Sequence, residues 1–405
     1  MTVSFHTLGC KLNFAETSTI SRLFVENGYK KVAFGQPADV VVVNTCTVTA
    51  QSDRKCRQAI TKAVKTSPDA IVVVIGCFAE LKAAEIAAIQ GVDLVLGNNE
   101  KFNVIEKLRD KKKEITVKNT FFSSYSLHER TRSFLKVQDG CDYYCTYCTV
   151  PMARGCSRNA PIAEILEQAK NIVSKGIKEI ALTGVNIGDF GKTTGETFLQ
   201  LLQALSDISD IERIRIGSIE PNLISDEIIE FIARSPRIAP HLHIPLQSGS
   251  NTILKLMGRR YNREQFAEKI ELIHKNIPNV AIGIDVIVGF PGETDIFFDE
   301  TYTFVNSIDV AYLHVFTYSE RPGTKAVNLP DKVKPATAEQ RSKKLLKLSE
   351  NKLQDFQRRN KGQFRKVIFE KSNKEGIMSG FTDNYIKIEA PYNSSFIGKS
   401  ILVEL

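Results

Sequence analysis

The sequence of 405 residues lacks any apolar run approaching the ~20 residues that a helix needs to cross a bilayer. Its start, MTVSFHTLGC, lacks the basic segment and the apolar run of a secretory signal. The first absence excludes a membrane-spanning helix and the second removes the usual evidence for export, so we expect a cytoplasmic protein. Without export, the eight cysteines are expected to serve metal binding or catalysis rather than disulfide bonds.

The remaining composition, with 42% hydrophobic and 25% charged residues, is typical of a globular protein. A chain of this length exceeds one ordinary hydrophobic core, so two to four domains are expected. Between Lys332 and Lys366, 12 Lys and Arg accompany three acidic residues, and the resulting +9 exceeds the +8 of the whole chain. This charge favours a polyanion such as nucleic acid, while a solvated helix face accounts for it equally well.

The amino-terminal part alternates between patterns typical of strands and of helices. Asp39–Thr45 and Ala70–Ile75 are rich in β-branched residues, as in strands buried on both faces. One helix is expected over Ala79–Gln90. Strands that alternate with helices predict a doubly wound parallel sheet of the α/β class, which we assign to a domain over residues 1–118.

Three cysteines of this domain each follow a predicted strand. Cys10 follows TLG, Cys46 follows VNT and Cys77 follows VIG. Because the carboxyl ends of parallel strands share one edge of a sheet, these thiols are expected to converge. Three thiolates suit an iron–sulfur cluster with one open iron. The alternative is that they are small buried core residues.

A second set of three cysteines lies within eight residues, with the spacing C-x3-C-x2-C: Cys141, Cys145 and Cys148. A loop of this kind can wrap three thiolates around one soft metal centre. Three protein ligands cap three irons of a four-iron cluster and leave the fourth iron open. A structural zinc site is the alternative, but it requires a fourth Cys or His nearby, and none lies at normal spacing.

This spacing resembles the signature of radical S-adenosylmethionine (SAM) enzymes, and TLGCKLNFAET, VNTC and VIGC resemble the amino-terminal domain of their methylthiotransferase family. The resemblance implies two [4Fe–4S] clusters. The C-x3-C-x2-C thiols would hold the cluster that cleaves SAM, and the strand-end thiols an auxiliary cluster that carries the sulfur. All six cysteines are therefore implied to be catalytic residues as well as metal ligands.

Residues 127–358 are expected to form the partial (βα)6 barrel of radical SAM enzymes, because predicted strands again alternate with helices and end in polar loops. By the resemblance, Tyr147 lies near the adenine of SAM, and Gly184, in the loop GVNIGDFG, lies near the methionyl amine. Three candidates for the ribose or sulfonium end are Ser218, Glu220 and Gln247. Each of these could instead be a helix cap or a turn residue. Three histidines are interpreted as structural residues of the barrel wall: His241, His243 and His314.

Residues 362–405 are predicted to form a small β-barrel, because short alternating runs are separated by turn signals. The run GIMSGFTDNYIKI resembles the TRAM domain, an RNA-binding barrel. Aromatic and cationic side chains bind RNA in such barrels, and five are possible contacts here: Phe364, Lys366, Phe381, Tyr385 and Lys387. Two further cysteines match no ligand position and are interpreted as free thiols: Cys56 and Cys156.

Within the family, the chain most resembles enzymes that thiomethylate C2 of N6-threonylcarbamoyladenosine at position 37 of tRNA, with SAM as methyl donor and radical source. The implied partners are the tRNA anticodon loop and an electron donor such as flavodoxin or ferredoxin, with no membrane and no DNA. The rival substrate is N6-isopentenyladenosine in tRNA, and a third branch modifies a ribosomal protein. Two hypotheses from other classes are a non-enzymatic iron–sulfur redox sensor that binds RNA, and another radical enzyme whose amino-terminal thiols are structural.

Overall fold

The computed structural model describes residues 1–110, 120–127, 131–371 and 375–405. The expected end of the first domain, at residue 118, lies outside the described residues. The strands of the amino-terminal sheet are β1 (Thr2–Thr7), β2 (Lys30–Val32), β3 (Val40–Thr45), β4 (Ile71–Gly76) and β5 (Leu94–Leu96). Its helices are α1 (Lys11–Glu26), α2 (Ala50–Thr66), α3 (Cys77–Leu81), α4 (Ala83–Ala87) and α5 (Val104–Arg109).

The first sheet is parallel, with the order β2-β1-β3-β4-β5, which confirms the predicted doubly wound arrangement. Strand β3 is buried on both faces, since Val41 packs with Ile60 of α2 and Val42 packs with Phe24 of α1. The prediction of a single helix over Ala79–Gln90 is wrong. Two short helices, α3 and α4, replace it, because the backbone leaves helical geometry at Lys82, where φ is −135°.

Six parallel strands follow: β6 (Arg132–Lys136), β7 (Glu179–Thr183), β8 (Arg213–Arg215), β9 (His241–His243), β10 (Ala281–Val288) and β11 (Tyr312–Thr317). The helices are α6 (Val150–Arg154), α7 (Ile162–Ser174), α8 (Phe198–Ser206), α9 (Asp226–Arg234), α10 (Asn251–Met257), α11 (Arg263–Asn276), α12 (Asp295–Ser307) and α13 (Pro335–Arg359). The strands form two sheets, β6-β7-β8 and β9-β10-β11, joined by the bridges Ile214–Ile238 and Ser218–His243. This arrangement confirms the predicted partial six-stranded barrel. Of the helices described, none is both long and apolar enough to span a membrane.

The chain ends in an antiparallel sheet with the order β14-β13-β12-β15, which forms the predicted small β domain. Its strands are β12 (Phe364–Lys371), β13 (Ile377–Thr382), β14 (Lys387–Pro391) and β15 (Ser400–Glu404). Two buried arginines of β8 attach this domain to the barrel. Arg215 donates hydrogen bonds to the carbonyls of Thr382 at 2.6 Å and Asp383 at 2.9 Å. Arg213 donates to the carbonyl of Lys366 at 2.7 Å.

Two of the possible RNA contacts in this domain, Phe381 and Tyr385, are partly buried against the barrel. The ring of Tyr385 stacks on His241 at 4.2 Å between centroids, and Arg132 lies 5.3 Å from the ring centroid of Phe381. The rings of Phe381 and Tyr385 thus help to dock the domain, and their interpretation as RNA contacts stays a prediction. Phe364 is 64% exposed and remains available.

Replacing Arg215 with alanine should loosen the small β domain. The change leaves two buried carbonyls without their donor and removes the guanidinium that bonds to Glu179 at 2.8 Å. Breaking a buried ion pair in this way costs about 3–5 kcal/mol. Hydrogen exchange of the β13 amides should accelerate in Arg215→Ala and stay unchanged in Arg234→Ala, whose ion pair with Glu230 is exposed. Equal exchange in the two variants would show that Arg215 does not hold the domain.

Candidate functional site

The structure brings the three strand-end thiols to one edge of the first sheet, since Cys10, Cys46 and Cys77 follow the adjacent strands β1, β3 and β4. A Cβ atom at Gly9, where φ is +105°, would lie 2.7 Å from Cβ of Cys46. Only glycine therefore permits this approach. Burial, followed by the nearby Cys77 thiol, raises the pKa of Cys46 to about 12. Mutual repulsion of this kind indicates that the thiols are close together.

Cys56 is hydrogen-bonded to the backbone of Cys46. Its Sγ atom donates to the carbonyl of Cys46 at 3.2 Å and accepts from the amide of the same residue at 3.4 Å. Cys56 thus fixes the loop that carries Cys46. Cys156 is exposed, and its sulfur lies 3.8 Å from the hydroxyl of Tyr144.

The second set of thiols lies on the loop between β6 and α6. Burial, followed by the neighbouring Cys145 and Cys141, raises the pKa of Cys148 to about 12, although the amide of Val150 donates to its sulfur at 3.4 Å. Burial likewise raises the pKa of Cys141 to about 11. Such thiols ionise only when a cation compensates the charge. Three buried or partly buried cysteines that share one loop therefore fit a soft metal cluster.

Arg259, which the sequence did not single out, contacts this second set. Its Nη1 atom donates to Sγ of Cys145 at 3.1 Å, and its Nη2 atom is bonded to the carboxylate of Glu220. The only sequence signal is the basic pair in the segment GRRY after α10. Because 114 residues separate Arg259 from Cys145, no local pattern could connect them.

Removing the Arg259 guanidinium should impair chemistry at the second set of thiols. Arg259→Met deprives the Cys145 thiolate of a charged donor and leaves Glu220 without its partner. Losing a partner of a metal ligand typically costs 10–100-fold in activity, so SAM cleavage should slow by about that factor. Arg263→Met is the control, since Arg263 pairs with Glu264 on the surface. A rate of SAM cleavage equal to that of the control would contradict this role.

Two loops that contain residues expected to bind SAM carry buried polar atoms. Gln247 has the unusual φ of +69°, and its Oε1 atom is buried without a hydrogen-bond partner in the part of the chain that the structure describes. Both polar side-chain atoms of Asn186, in the GVNIGDFG loop, are also buried and unpartnered among the described residues. A Cβ atom at Gly184 would lie 2.8 Å from Oε1 of Gln138. Unpartnered buried atoms are rare, so this lining fits a polar ligand such as SAM.

The other expected SAM contacts have mixed surroundings. The ring of Tyr147 packs edge-on against Phe290, at 6.2 Å between centroids, within an apolar cluster. Ser218 forms a backbone bridge with His243 at the junction of the two half-barrels. Tyr147 thus offers an apolar ring beside the cysteine loop, while Ser218 lies at a strand end.

Helix α6 links the two sets of thiols. It begins two residues after Cys148 and ends at Arg154, a rise of about 8 Å. The side-chain amide of Asn98 donates to Sγ of Cys77 at 3.6 Å and to the carbonyl of Ala153, in α6, at 2.6 Å. The two sets of thiols therefore lie near opposite ends of one short helix.

A buried network of charges surrounds this helix. Glu16 of α1 contacts three cations: Lys101 at 2.5 Å, Lys136 at 3.0 Å and Arg154 at 3.1 Å. Burial alone would raise the pKa of Glu16, but these cations hold it far below its usual value. Asp139 extends the network, with Arg154 at 2.9 Å. The network joins the first sheet to the barrel between the two sets of thiols.

The loop after β11 also contacts the segment that follows β3 and the start of α2. Arg321 donates to Oγ1 of Thr47 at 2.5 Å and to Oδ2 of Asp53 at 2.8 Å. Large apolar side chains are exposed close to the cysteines in sequence, at Val48, Tyr144 and Met152, and at the end of β11, at Phe316. Exposed apolar and aromatic side chains suit the flat face of a nucleobase.

Two family models match parts of the chain. The model of the Radical SAM superfamily matches residues 135–305, and that of Uncharacterized protein family UPF0004 matches residues 2–97. The radical SAM methyltransferase TsrM from Kitasatospora setae, solved with cobalamin and a [4Fe-4S] cluster bound, has a similar fold. Its TM-score is 0.60 at 14% identity, over 80% of this chain and 77% of that one.

Curated relatives match over the whole chain. The threonylcarbamoyladenosine tRNA methylthiotransferase MtaB of Bacillus subtilis (strain 168) is 40% identical over 100% of this chain and 93% of its own length. That of Aquifex aeolicus (strain VF5) is 40% identical over 96% of both chains. A tRNA-2-methylthio-N(6)-dimethylallyladenosine synthase of Sulfurihydrogenibium sp. (strain YO3AOP1) is 31% identical over 98% of this chain and 95% of its own length. With this identity over the full length, the chain belongs to the radical SAM methylthiotransferase family.

Proposed function

We propose that this enzyme transfers a methylthio group to C2 of N6-threonylcarbamoyladenosine at position 37 of tRNA. The observation that carries the proposal is the pair of three-thiol sets near opposite ends of α6, in a chain that is 40% identical to MtaB over its whole length. The lower identity of 31% to a dimethylallyladenosine synthase makes isopentenyladenosine the second candidate substrate.

The proposal assigns one [4Fe–4S] cluster to each set of thiols. Cys141, Cys145 and Cys148 would hold the cluster that binds SAM, and the strand-end thiols would hold the auxiliary cluster. When bound, these groups supply the radical that removes hydrogen from an unreactive aromatic carbon, and the sulfur and methyl group that replace it. The donor sets support this assignment, because each offers three free cysteine sulfurs and leaves one cluster position open.

The chain itself positions these groups and the substrate. Arg259 stabilises negative charge on the sulfur of Cys145, and the unpartnered atoms of Asn186 and Gln247 can bond to the polar parts of SAM. The Glu16 network fixes α6, which sets the separation of the two sets of thiols. The exposed rings of Tyr144 and Phe316 can stack on the adenine and exclude water from it.

The proposed partners follow from this reaction. An unstacked base of the anticodon loop can reach such a site, and Phe364, 64% exposed on the small β domain, is a further RNA contact. A one-electron donor such as flavodoxin or ferredoxin must supply the reducing equivalent. Because tRNA is the proposed substrate, the cytoplasm is the expected compartment.

Mass spectrometry of tRNA nucleosides from cells with and without the gene tests the proposal. Deletion should remove 2-methylthio-N6-threonylcarbamoyladenosine, and the intact gene should restore it whereas a Cys148→Ala gene should not. Loss of the methylthio-isopentenyl nucleoside instead would assign the enzyme to the second substrate. An unchanged level of both nucleosides would refute a tRNA substrate and direct attention to ribosomal proteins.

A further inference from the structure

Three side chains inside the barrel, on neighbouring strands, converge on one point. They are His243 on β9, Asp285 on β10 and His314 on β11. Nε2 of His243 lies 3.1 Å from Oδ1 of Asp285, and Nδ1 of His314 lies 3.3 Å from the same oxygen. The two nitrogens are 3.2 Å apart. The three atoms therefore form a nearly equilateral triangle.

The size of this triangle matches the spacing of ligands around a metal ion. Zinc binds nitrogen and oxygen at about 2.0–2.1 Å, and two such ligands at the tetrahedral angle are about 3.3 Å apart. At the right angle of an octahedron, the same bonds give about 2.9 Å. The observed 3.1–3.3 Å lies between these two values. The three atoms can thus occupy one face of a coordination polyhedron without moving.

Hydrogen bonding within the cluster does not satisfy these groups. The two histidine nitrogens lie within hydrogen-bond distance of each other, but the buried Oδ1 atom of Asp285, although close to both, accepts no well-aligned hydrogen bond from the described residues. A neutral imidazole carries a single N–H, so two rings cannot serve all three edges of the triangle. A cation at its centre would accept one lone pair from each residue at once.

We propose that His243, Asp285 and His314 bind a divalent transition-metal ion, with Zn²⁺ as the best match. Two imidazoles and one carboxylate are a donor set that suits Zn²⁺ and Fe²⁺ and disfavours Mg²⁺ and Ca²⁺, which prefer oxygen. Three protein ligands leave at least one position for water or for another ligand. This open position is accessible, since the side chain of His314 is 53% exposed.

The site is separate from both sets of thiols but lies close to the residues proposed to bind SAM. The amide of Gln247 donates to the carbonyl of Asp285 at 2.8 Å, and Ser218 forms its backbone bridge with His243. The ion would therefore lie next to the strand ends where chemistry is proposed. Its binding does not depend on the proposed function, because no cysteine takes part.

Metal analysis of the purified full-length protein, with its clusters loaded under anaerobic conditions, tests this site. The protein is equilibrated with micromolar Zn²⁺, and zinc and iron are measured separately by mass spectrometry. We expect His314→Gln and His243→Gln to bind zinc at least about 10-fold more weakly than the wild type, with iron unchanged. His274→Gln is the matched control, since His274 contacts the carbonyl of Asp309 on the surface and should leave zinc binding intact.

Cobalt provides a second readout that separates this site from adventitious thiolate binding. Co²⁺ held by nitrogen and oxygen should give weak visible bands without an intense thiolate band, and these should vanish in His314→Gln. Circular dichroism establishes that each variant is folded. The proposal is overturned if wild type and folded His314→Gln bind zinc equally, or if neither binds more zinc than a Cys-free reference protein.

Discussion

Cys77→Ala is expected to abolish the methylthio product while cleavage of SAM continues. The substitution removes one of three ligands of the proposed auxiliary cluster and leaves Cys141, Cys145 and Cys148 in place. Iron should fall from about eight to about four per chain, as one of two four-iron clusters is lost. Iron analysis, 5′-deoxyadenosine release and nucleoside mass spectrometry on the same preparation measure the three quantities.

Two controls make this result interpretable. Cys156→Ala, at an exposed thiol outside both sets, should retain all the iron and full product. Cys148→Ala should lose both SAM cleavage and product. If Cys77→Ala still forms product, the amino-terminal thiols are structural and the enzyme uses a different radical chemistry.

Glu16→Gln is expected to produce the largest loss of stability. In the wild type, the Glu16 carboxylate is enclosed by Lys101, Lys136 and Arg154, all nearly fully buried. A neutral amide leaves these cations undercompensated, and breaking a buried pair costs about 3–5 kcal/mol. Denaturant unfolding of the cluster-loaded protein measures the change. The matched control is Glu26→Gln, an exposed carboxylate at the end of the same helix, which should change stability by no more than about 0.5 kcal/mol.

The same carboxylate gives stability a defined pH dependence. Its neighbouring cations depress the pKa of Glu16 in the folded protein, despite burial, so its contribution is fully present above the pKa of the unfolded chain, about 4.3. That contribution is lost as pH falls further toward the folded pKa. The stability gap between wild type and Glu16→Gln should therefore be constant near neutral pH and shrink below about pH 4.3. A gap that stays constant down to pH 3 would show that the charge of Glu16 is not the source.

The positions of the thiols could be predicted from sequence because their geometry is set by rules of topology. Parallel strands deliver their carboxyl ends to one edge, so Cys10, Cys46 and Cys77 could be placed together without knowing the strand order. The structure adds that β1, β3 and β4 are direct neighbours. The C-x3-C-x2-C set is local and needed no topology at all.

Contacts between distant segments could not be predicted in this way. Nothing in the sequence pairs Arg154 with Glu16, 138 residues earlier. The alternation in HLH places His241 and His243 on one face of a strand, but the register that adds Asp285 and His314 exists only in the folded sheet. The role of the basic segment between Lys332 and Lys366 was ambiguous for the same reason, since the sequence does not show which of its cations are paired inside the fold. Arg341, within the basic segment, is buried and bonded to Glu293 and Asp295.

The attachment of the small β domain by Arg213 and Arg215 has a consequence for how a large substrate is measured. Hydrogen bonds from Arg213 and Arg215 hold the domain against the barrel wall. The distance between the exposed face of the domain and the two sets of thiols is therefore constant. A tRNA bound at both places would therefore be held at two points a fixed distance apart. Position 37 would be selected by its distance along the anticodon arm, and lengthening that arm by one base pair would carry the adenosine past the reacting centre.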